Sequence, residues 1–334
     1  MIVLVTGGNG YIGSHCVLSL LEAGYDVLSF DNYITGHREL SKVFSNVEAK
    51  GRYLGNHSGS LMISEDLDGV FDDYDIKAVI HLAALSRVDE SVEDPNKYYR
   101  NNVLGSMNLL DSMISHDVKY IVFSSSAAIY GEPLYVPIDE KHPKKPVNPY
   151  GRTKLNVECM MDDYDRAYGL KSVRLRYFNV IGADSQCRVG EWHDPETHLV
   201  PNVLKSIIDG KKELFIFGND YPTKDGTCVR DYINIEDLTD AHLLAMKYLI
   251  DGGMTDSFNL GADCGNTVKE VIDECRVVTE KDVHYQVKER RLGDPAVLIS
   301  DSSKAKRILG WVPKRTLNDS IRTAFEWEKK RLGI

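Results

Sequence analysis

Residues 2–5 are apolar at four successive positions and run without a break into Thr6-Gly7-Gly8-Asn9-Gly10-Tyr11-Ile12-Gly13. No other feature limits the possible folds so sharply. Gly8, Gly10 and Gly13 satisfy a GxGxxG spacing, and Gly7, Gly10 and Gly13 satisfy GxxGxxG. Glycines so placed permit a tight strand-to-helix turn, let backbone N–H groups approach a pyrophosphate, and allow helix to pack closely on strand. The helix that follows, predicted over residues 11–23 and stopped by Gly24, aims its positive end at the turn. Asp31 ends the next apolar run, 18 residues after Gly13, where a carboxylate accepts hydrogen bonds from ribose hydroxyls. A 2′-phosphate would be repelled there, so the spacing favours NAD over NADP. A plain strand-to-helix turn, with Asp31 as a strand-end residue, is the competing reading.

Further short apolar runs at 26–30, 78–82, 120–124 and 172–177 are rich in β-branched and aromatic residues. They are apolar on successive positions rather than alternating, as suits parallel strands covered on both faces. Helix-period stretches separate them. One opens at Asp94-Pro95, with Tyr99, Val103, Met107, Leu110 and Ile114 as its apolar stripe. Another runs from Asn148-Pro149 to about Tyr168. Repeated β-α-β order predicts an α/β protein, a Rossmann-type doubly wound parallel sheet. Beyond Phe178 the pattern breaks: 179–201 is polar and irregular, and 218–231 is turn-rich. Helices are expected at 235–249, 267–279 and 302–309. A smaller mixed α/β C-terminal substrate domain is therefore expected against the carboxyl edge of the sheet. The basic run 141–145 reads as a solvated loop.

The chain of 334 residues carries 40 basic and 50 acidic side chains, a net charge of −10. That balance argues against a general nucleic-acid binder, and no stretch approaches the ~20 apolar residues of a membrane span. Its start shows no secretory pattern, so a cytoplasmic protein is expected. The six cysteines, Cys16, Cys159, Cys187, Cys228, Cys264 and Cys275, show no CxxC pair or disulfide framework, and no metal site is expected.

Tyr150 and Lys154 stand four apart, on one face of the helix that begins at Asn148. Ser124-Ser125-Ser126 follows the fourth apolar strand, at the sheet end where open α/β sheets bind ligands. A tyrosine works as a base near neutrality only if its pKa falls from about 10 to about 7, roughly 4 kcal/mol. One cation at ~4 Å supplies on the order of 4 kcal/mol at an effective dielectric of ~20, before desolvation opposes it. Lys154 with an oxidised nicotinamide would supply the shift, and Ser126 would bridge the phenol and a substrate hydroxyl. A chance YxxxK beside a serine-rich loop is the bland alternative.

The chain resembles the extended short-chain dehydrogenase/reductase family, and within it the UDP-glucose 4-epimerases. The resemblance runs nearly end to end. It lies in TGGNGYIGSH at 6–15, DNY at 31–33, YYRNNVLG at 98–105, FSSSAAIYG at 123–131 and NPYGRTK at 148–154. It continues in RYFNVIGA at 176–183, IFGNDYPTKDGTCVRDYI at 216–233, FNLG at 258–261 and RRLGDPA at 290–296. The resemblance implies an NAD-dependent isomerase that interconverts UDP-glucose and UDP-galactose, a UDP-sugar as its small-molecule partner, and a homodimer. Tyr150 is implied as catalytic base and acid, Lys154 as its neighbour on the nicotinamide ribose, and Ser126 on the sugar O4. The glycine turn (Gly7, Gly10 and Gly13), Tyr11, Ile12, Asp31, Asn32, Asn56, Leu82, Ala83, Ala84, Asn101 and Phe178 are implied to line NAD. Asn179, His198, Leu199, Ile216, Phe217, Arg230, Arg291 and Asp294 are implied to hold the UDP portion. Two guanidiniums suit a diphosphate. The implied division puts residues 1–179 in the NAD half, rejoined by about 230–260, with 180–229 and 261–334 as the UDP-sugar half.

Some positions depart from the family pattern. Ser86 stands where a lysine is frequent, Asn56 near a usual aspartate, and His198 at a place held by asparagine. Val297 falls near the position of a bulky tyrosine, and a smaller residue there would widen the sugar pocket toward N-acetylated substrates. A 4,6-dehydratase of this family carries an Asp-Glu pair after the catalytic Ser or Thr. Ala127-Ala128 fill those positions and cannot transfer protons.

Overall fold

The computed structural model describes residues 1–210, 213–291 and 294–334. In chain order the first half comprises β1 (Ile2–Thr6), α1 (Tyr11–Ala23), β2 (Asp26–Asp31), α2 (Leu40–Asn46), β3 (Tyr53–Ser58), α3 (Ser64–Asp73) and β4 (Ile76–His81). Then come α4 (Val88–Glu93), α5 (Pro95–Tyr98), a π-helical turn (Tyr99–Leu104), α6 (Gly105–Ser115), β5 (Tyr120–Ser124), α7 (Pro149–Tyr168) and β6 (Lys171–Tyr177). The second half holds β7 (Asn179–Ile181), α8 (Leu199–Asp209), β8 (Leu214–Phe217), β9 (Val229–Asn234), α9 (Ile235–Ile250), β10 (Asp256–Leu260) and β11 (Gly265–Thr267). It ends with α10 (Val268–Thr279), β12 (Tyr285–Lys288), β13 (Val297–Leu298), α11 (Ser303–Leu309) and α12 (Leu317–Leu332).

Seven strands form one parallel sheet in the order β10-β6-β5-β4-β1-β2-β3. Strand order reverses between β1 and β4, the switch point at which such sheets open a crevice at their carboxyl ends. The central strands are dry on both faces: Val3, Val5, Ala78 and Ile80 face one helical layer with α1 and α9, and Leu4, Val79, Ile121 and Phe123 face the other. This explains why they read as unbroken apolar runs. The chain leaves this sheet after β6 and returns to its edge as β10, beside β6. A third core, built on α8, α10, α12, β8 and β9, underlies the smaller mixed sheets.

Two expectations change. The stripe over 99–114 is not a single buried face, because Tyr99 and Met107 are exposed while Tyr98, Asn102, Leu109 and Met113 are buried. The π turn at Tyr99–Leu104 adds a residue to the helical cycle and rotates the faces past each other. The stretch expected to be irregular through Pro201 ends earlier, since α8 starts at Leu199. Pro201 sits in the first turn, where its lack of an N–H costs no helical hydrogen bond.

Candidate active site

The turn after β1 is closed by contacts that exclude a side chain at Gly7, Gly8 and Gly13. Gly7 has φ +70°, and a Cβ there would stand 2.7 Å from the Ala83 nitrogen. A Cβ on Gly13 would fall 1.9 Å from the Gly7 carbonyl oxygen. Helix α1 begins with no side-chain cap and no acidic residue in its first turn. Its leading amides and dipole are thus left for an outside anion, as a pyrophosphate requires. At the end of β2 Asp31 is buried, its carboxylate accepting from the Asn9 N–H at 2.9 Å and the Tyr33 N–H at 2.8 Å. Burial raises its pKa, and those two amides pull the other way.

Asn148 starts α7 by accepting from the Gly151 N–H at 2.8 Å, with Pro149 at the first helical position. That start carries Tyr150 and Lys154 to the carboxyl end of β5. Lys154 is buried and donates from Nζ to the Ser124 carbonyl at 2.7 Å, with Nζ 5.9 Å from the centre of the Tyr150 ring. Burial pushes the Lys154 ammonium down to about 7. Burial also raises the Tyr150 phenol, with Ser126 acting in the opposite direction. The chain's own residues therefore do not make a phenolate of Tyr150; a further positive charge is required. Ser126 opens a short 3₁₀ turn, Ala127–Ile129, and its Oγ accepts from the Ala128 N–H at 3.1 Å.

One cleft of about 1370 Å³ takes in the glycine turn, Tyr11, Ile12, Asp31, Asn32, the 82–84 segment, Asn101, Ser126, Tyr150, Lys154 and Phe178. It continues past Asn179, His198, Leu199, Arg230, Arg291 and Asp294. Single small-ligand sites run to ~1,000 Å³, so this volume suits two nucleotide-sized molecules. Ser86, Ala127 and Ala128 are on its wall as well.

Three expected contacts are not on that wall. Asn56 is turned into the sheet, its Oδ1 accepting from Ser29 Oγ at 2.8 Å while its buried Nδ2 has no partner. Ile216 packs into the third core, and Phe217 lies under the Arg291 guanidinium, 4.0 Å from ring centre to Cζ. Of the two strand neighbours Val297 and Leu298, only Leu298 reaches the cleft. Arg230 and Asp294, expected to hold different parts of a nucleotide, meet each other at 2.9 Å, and Arg230 also donates to the Val229 and Pro295 carbonyls. Leu292 and Gly293 of the RRLGDPA block lie outside the described residues.

Several supporting residues were not singled out in the sequence. Asn102, in the π turn, donates from Nδ2 to the Leu85 carbonyl and Thr153 Oγ1, and accepts from the Leu85 N–H. Glu158 of α7 is buried between Arg176 (2.7 and 2.9 Å) and Ser125 Oγ (2.7 Å). Tyr177 hydrogen-bonds Ser124. His81 bridges Thr6 and Ser106, and burial drives it down to about 3, so it is neutral.

A family model described as GDP-mannose 4,6 dehydratase matches residues 4–324. The UDP-glucose 4-epimerase of Halalkalibacterium halodurans is 48% identical over 331 residues, covering 99% of this chain and 96% of that protein. The crystal structure of the Brucella ovis UDP-glucose 4-epimerase in complex with NAD is 42% identical, with a TM-score of 0.91 and 97% of each chain covered. That of the Bifidobacterium longum enzyme in complex with NAD⁺ and UDP is 36% identical, with a TM-score of 0.93 and 99% of each chain covered. With near-complete coverage in sequence and in structure, the chain belongs to the UDP-glucose 4-epimerase family of extended short-chain dehydrogenases/reductases.

Proposed function

We propose that the protein interconverts UDP-glucose and UDP-galactose with a retained NAD. One observation carries this: Tyr150, Lys154 and Ser126 meet at the carboxyl end of β5 inside a cleft shared with the glycine turn, and Ala127-Ala128 supply no second proton-transfer group. A bound NAD would supply a reversible hydride acceptor for C4 and, in its oxidised form, a positive charge beside Tyr150. Its diphosphate suits the open start of α1, and its adenosine ribose suits Asp31. Tyr150 takes the O4 proton and gives it back after the 4-keto sugar has turned over. Ser126 orients that oxygen, and Lys154 holds the nicotinamide ribose and stabilises the phenolate. Arg291, perched on Phe217, is the cation for the UDP diphosphate, with Arg230 beside it once Asp294 turns to the uridine ribose. Such a division asks for firm anchoring of UDP and loose holding of the hexose.

Residues 1–179 with about 230–260 form the NAD half in this reading, and 180–229 with 261–334 the UDP-sugar half. The return of β10 to the main sheet supports that partition, whereas β9 (Val229–Asn234) pairs with β7, β11 and β13 of the smaller sheets and favours a rejoining point after it. A cytoplasmic homodimer completes the reading; no helix of the described residues is long and apolar enough to cross a membrane. Proton NMR of UDP-galactose with the purified protein and no added NAD tests the activity. UDP-glucose signals are expected, and silence even with NAD supplied would overturn it. Tyr150→Phe should cut turnover by about 10²–10⁴-fold while sparing NAD binding; turnover within threefold of wild type would remove Tyr150 from the role.

A further inference from the structure

The segment joining β7 to α8 carries Glu191, His193, Glu196 and His198, whose ligand-type atoms all lie within 4.8 Å of one another. His198 Nδ1 is 2.7 Å from Glu191 Oε1 and 3.3 Å from Glu196 Oε1; His193 Nδ1 is 3.3 Å from Glu191 Oε1 and 3.8 Å from Glu196 Oε2. A tetrahedral ion with bonds of ~2.0–2.2 Å needs ligand atoms about 3.3–3.6 Å apart. The observed spacings bracket that edge. Glu191 and Glu196 are buried, with side chains 6% and 2% exposed. Glu196 Oε2 and His193 Nδ1 are buried without a hydrogen-bond partner, and both face the cluster. The remaining Glu196 oxygen is fixed by the Thr197 and His198 N–H groups at 2.8 and 2.9 Å.

We propose that these four side chains form a binding site for one divalent transition-metal ion of the zinc class. Two imidazoles and two carboxylates make a neutral complex with such an ion, and two nitrogen donors disfavour the all-oxygen cations calcium and magnesium. The framework around the four is built. Trp327 Nε1 donates to the Glu191 carbonyl at 3.0 Å, and the His37 ring stacks on Trp192 at 3.6 Å and bonds its carbonyl. Tyr11 of α1 meets His193 edge to face. His198 is also the residue preceding α8, which has no side-chain cap. Metal there ties Glu191, held by α12, to the start of α8 on the cleft wall. Its role is to set the loop that positions Leu199 and Asn202 on the substrate side. The expectation of no metal rested on the cysteines and left this His/Glu spacing unread.

Without metal the cluster is a set of ion pairs. Lys205 Nζ stands 3.8 Å from Glu196 Oε2, and Arg331 is also in the field of Glu196. Binding works against the Lys205 ammonium beside Glu196.

The experiment is calorimetric titration of the chelator-stripped, full-length protein with Zn²⁺, followed by Co²⁺ absorption. One ion per chain and the visible bands of tetrahedral Co²⁺ without thiolate charge transfer are expected. Glu191→Gln should weaken Zn²⁺ by about 100-fold or more, whereas Lys205→Met, at the rim, should tighten it by about tenfold. The second variant keeps the test decisive if the first does not fold. Absence of saturable binding, thiolate bands pointing to the exposed Cys159 or Cys264, or an affinity unmoved by Lys205→Met would each overturn the site.

Discussion

Lys154 sits at the catalytic face at a cost to the fold. Its ammonium is buried with one carbonyl partner, and its pKa falls from 10.5 to about 7. Between those values the unfolded chain holds a proton that the folded chain has shed, so stability rises with pH across that window. Below pH 7 both states hold the proton and the cost is complete, on the order of 5 kcal/mol. Lys154→Met removes it while losing one hydrogen bond of about 1 kcal/mol. The variant should therefore melt above the wild type at pH 7 in the nucleotide-free state. The gap should close by about pH 10, and turnover should be lost. The difference curve between the two proteins reads Lys154; parallel melting curves over that range would refute the assignment. Tyr150 is the opposite case, since its burial disfavours the phenolate and so keeps the base silent until the cleft is charged.

Elements, not single residues, decide whether Tyr150 reaches Ser126. Helix α7 is set at its start by Asn148 and at its third turn by Glu158, which locks to Arg176 of β6 and to Ser125. Arg176 goes on to Tyr130, and Tyr130 to Asn259 at the start of the return to the smaller lobe. Asn148→Ala should cost about 1 kcal/mol, as for a lost cap. Glu158→Ala should cost about 3–5 kcal/mol, because Arg176 is left charged and buried. Denaturant unfolding of both variants distinguishes them; equal losses would mean that the Glu158 pair does not hold the helix. Here the limits of the sequence become visible. Asn148-Pro149, Gly24 and the glycine turn were legible because capping and positive φ restrict residue type locally. Strands β1, β4 and β5 were legible because burial on both faces leaves unbroken apolar runs. Glu158–Arg176, separated by 18 residues, and the Asn102 contacts were not, since a buried polar pair looks like any surface pair until the chain folds. The π turn was equally hidden, because one added residue leaves every side chain in place and changes only which way it points.

At the scale of the whole molecule, the question is what covers the outer face built by α5, the π turn, α6 and α7. Tyr99, Met107 and Tyr168 are exposed there by 37%, 38% and 54%, although their neighbours Tyr98, Met113 and Met161 are fully buried. Apolar side chains left outward on these helices are poorly explained by the monomer, and a second copy of the same chain about a two-fold axis would cover them. The opposing term is charge, because two chains at −10 repel. Apolar burial must outweigh that repulsion, and salt screens the repulsion without weakening the burial. Sedimentation velocity should therefore show a dimer of the 37.6 kDa chain that tightens, rather than loosens, as salt is raised. Met107→Glu sets two carboxylates across the face and should shift the equilibrium toward monomer. The cleft lies within one chain, so this variant should keep the NMR-detected epimerisation per chain. A wild-type protein that sediments as a monomer at every salt concentration would leave this face without its partner and end the homodimer reading.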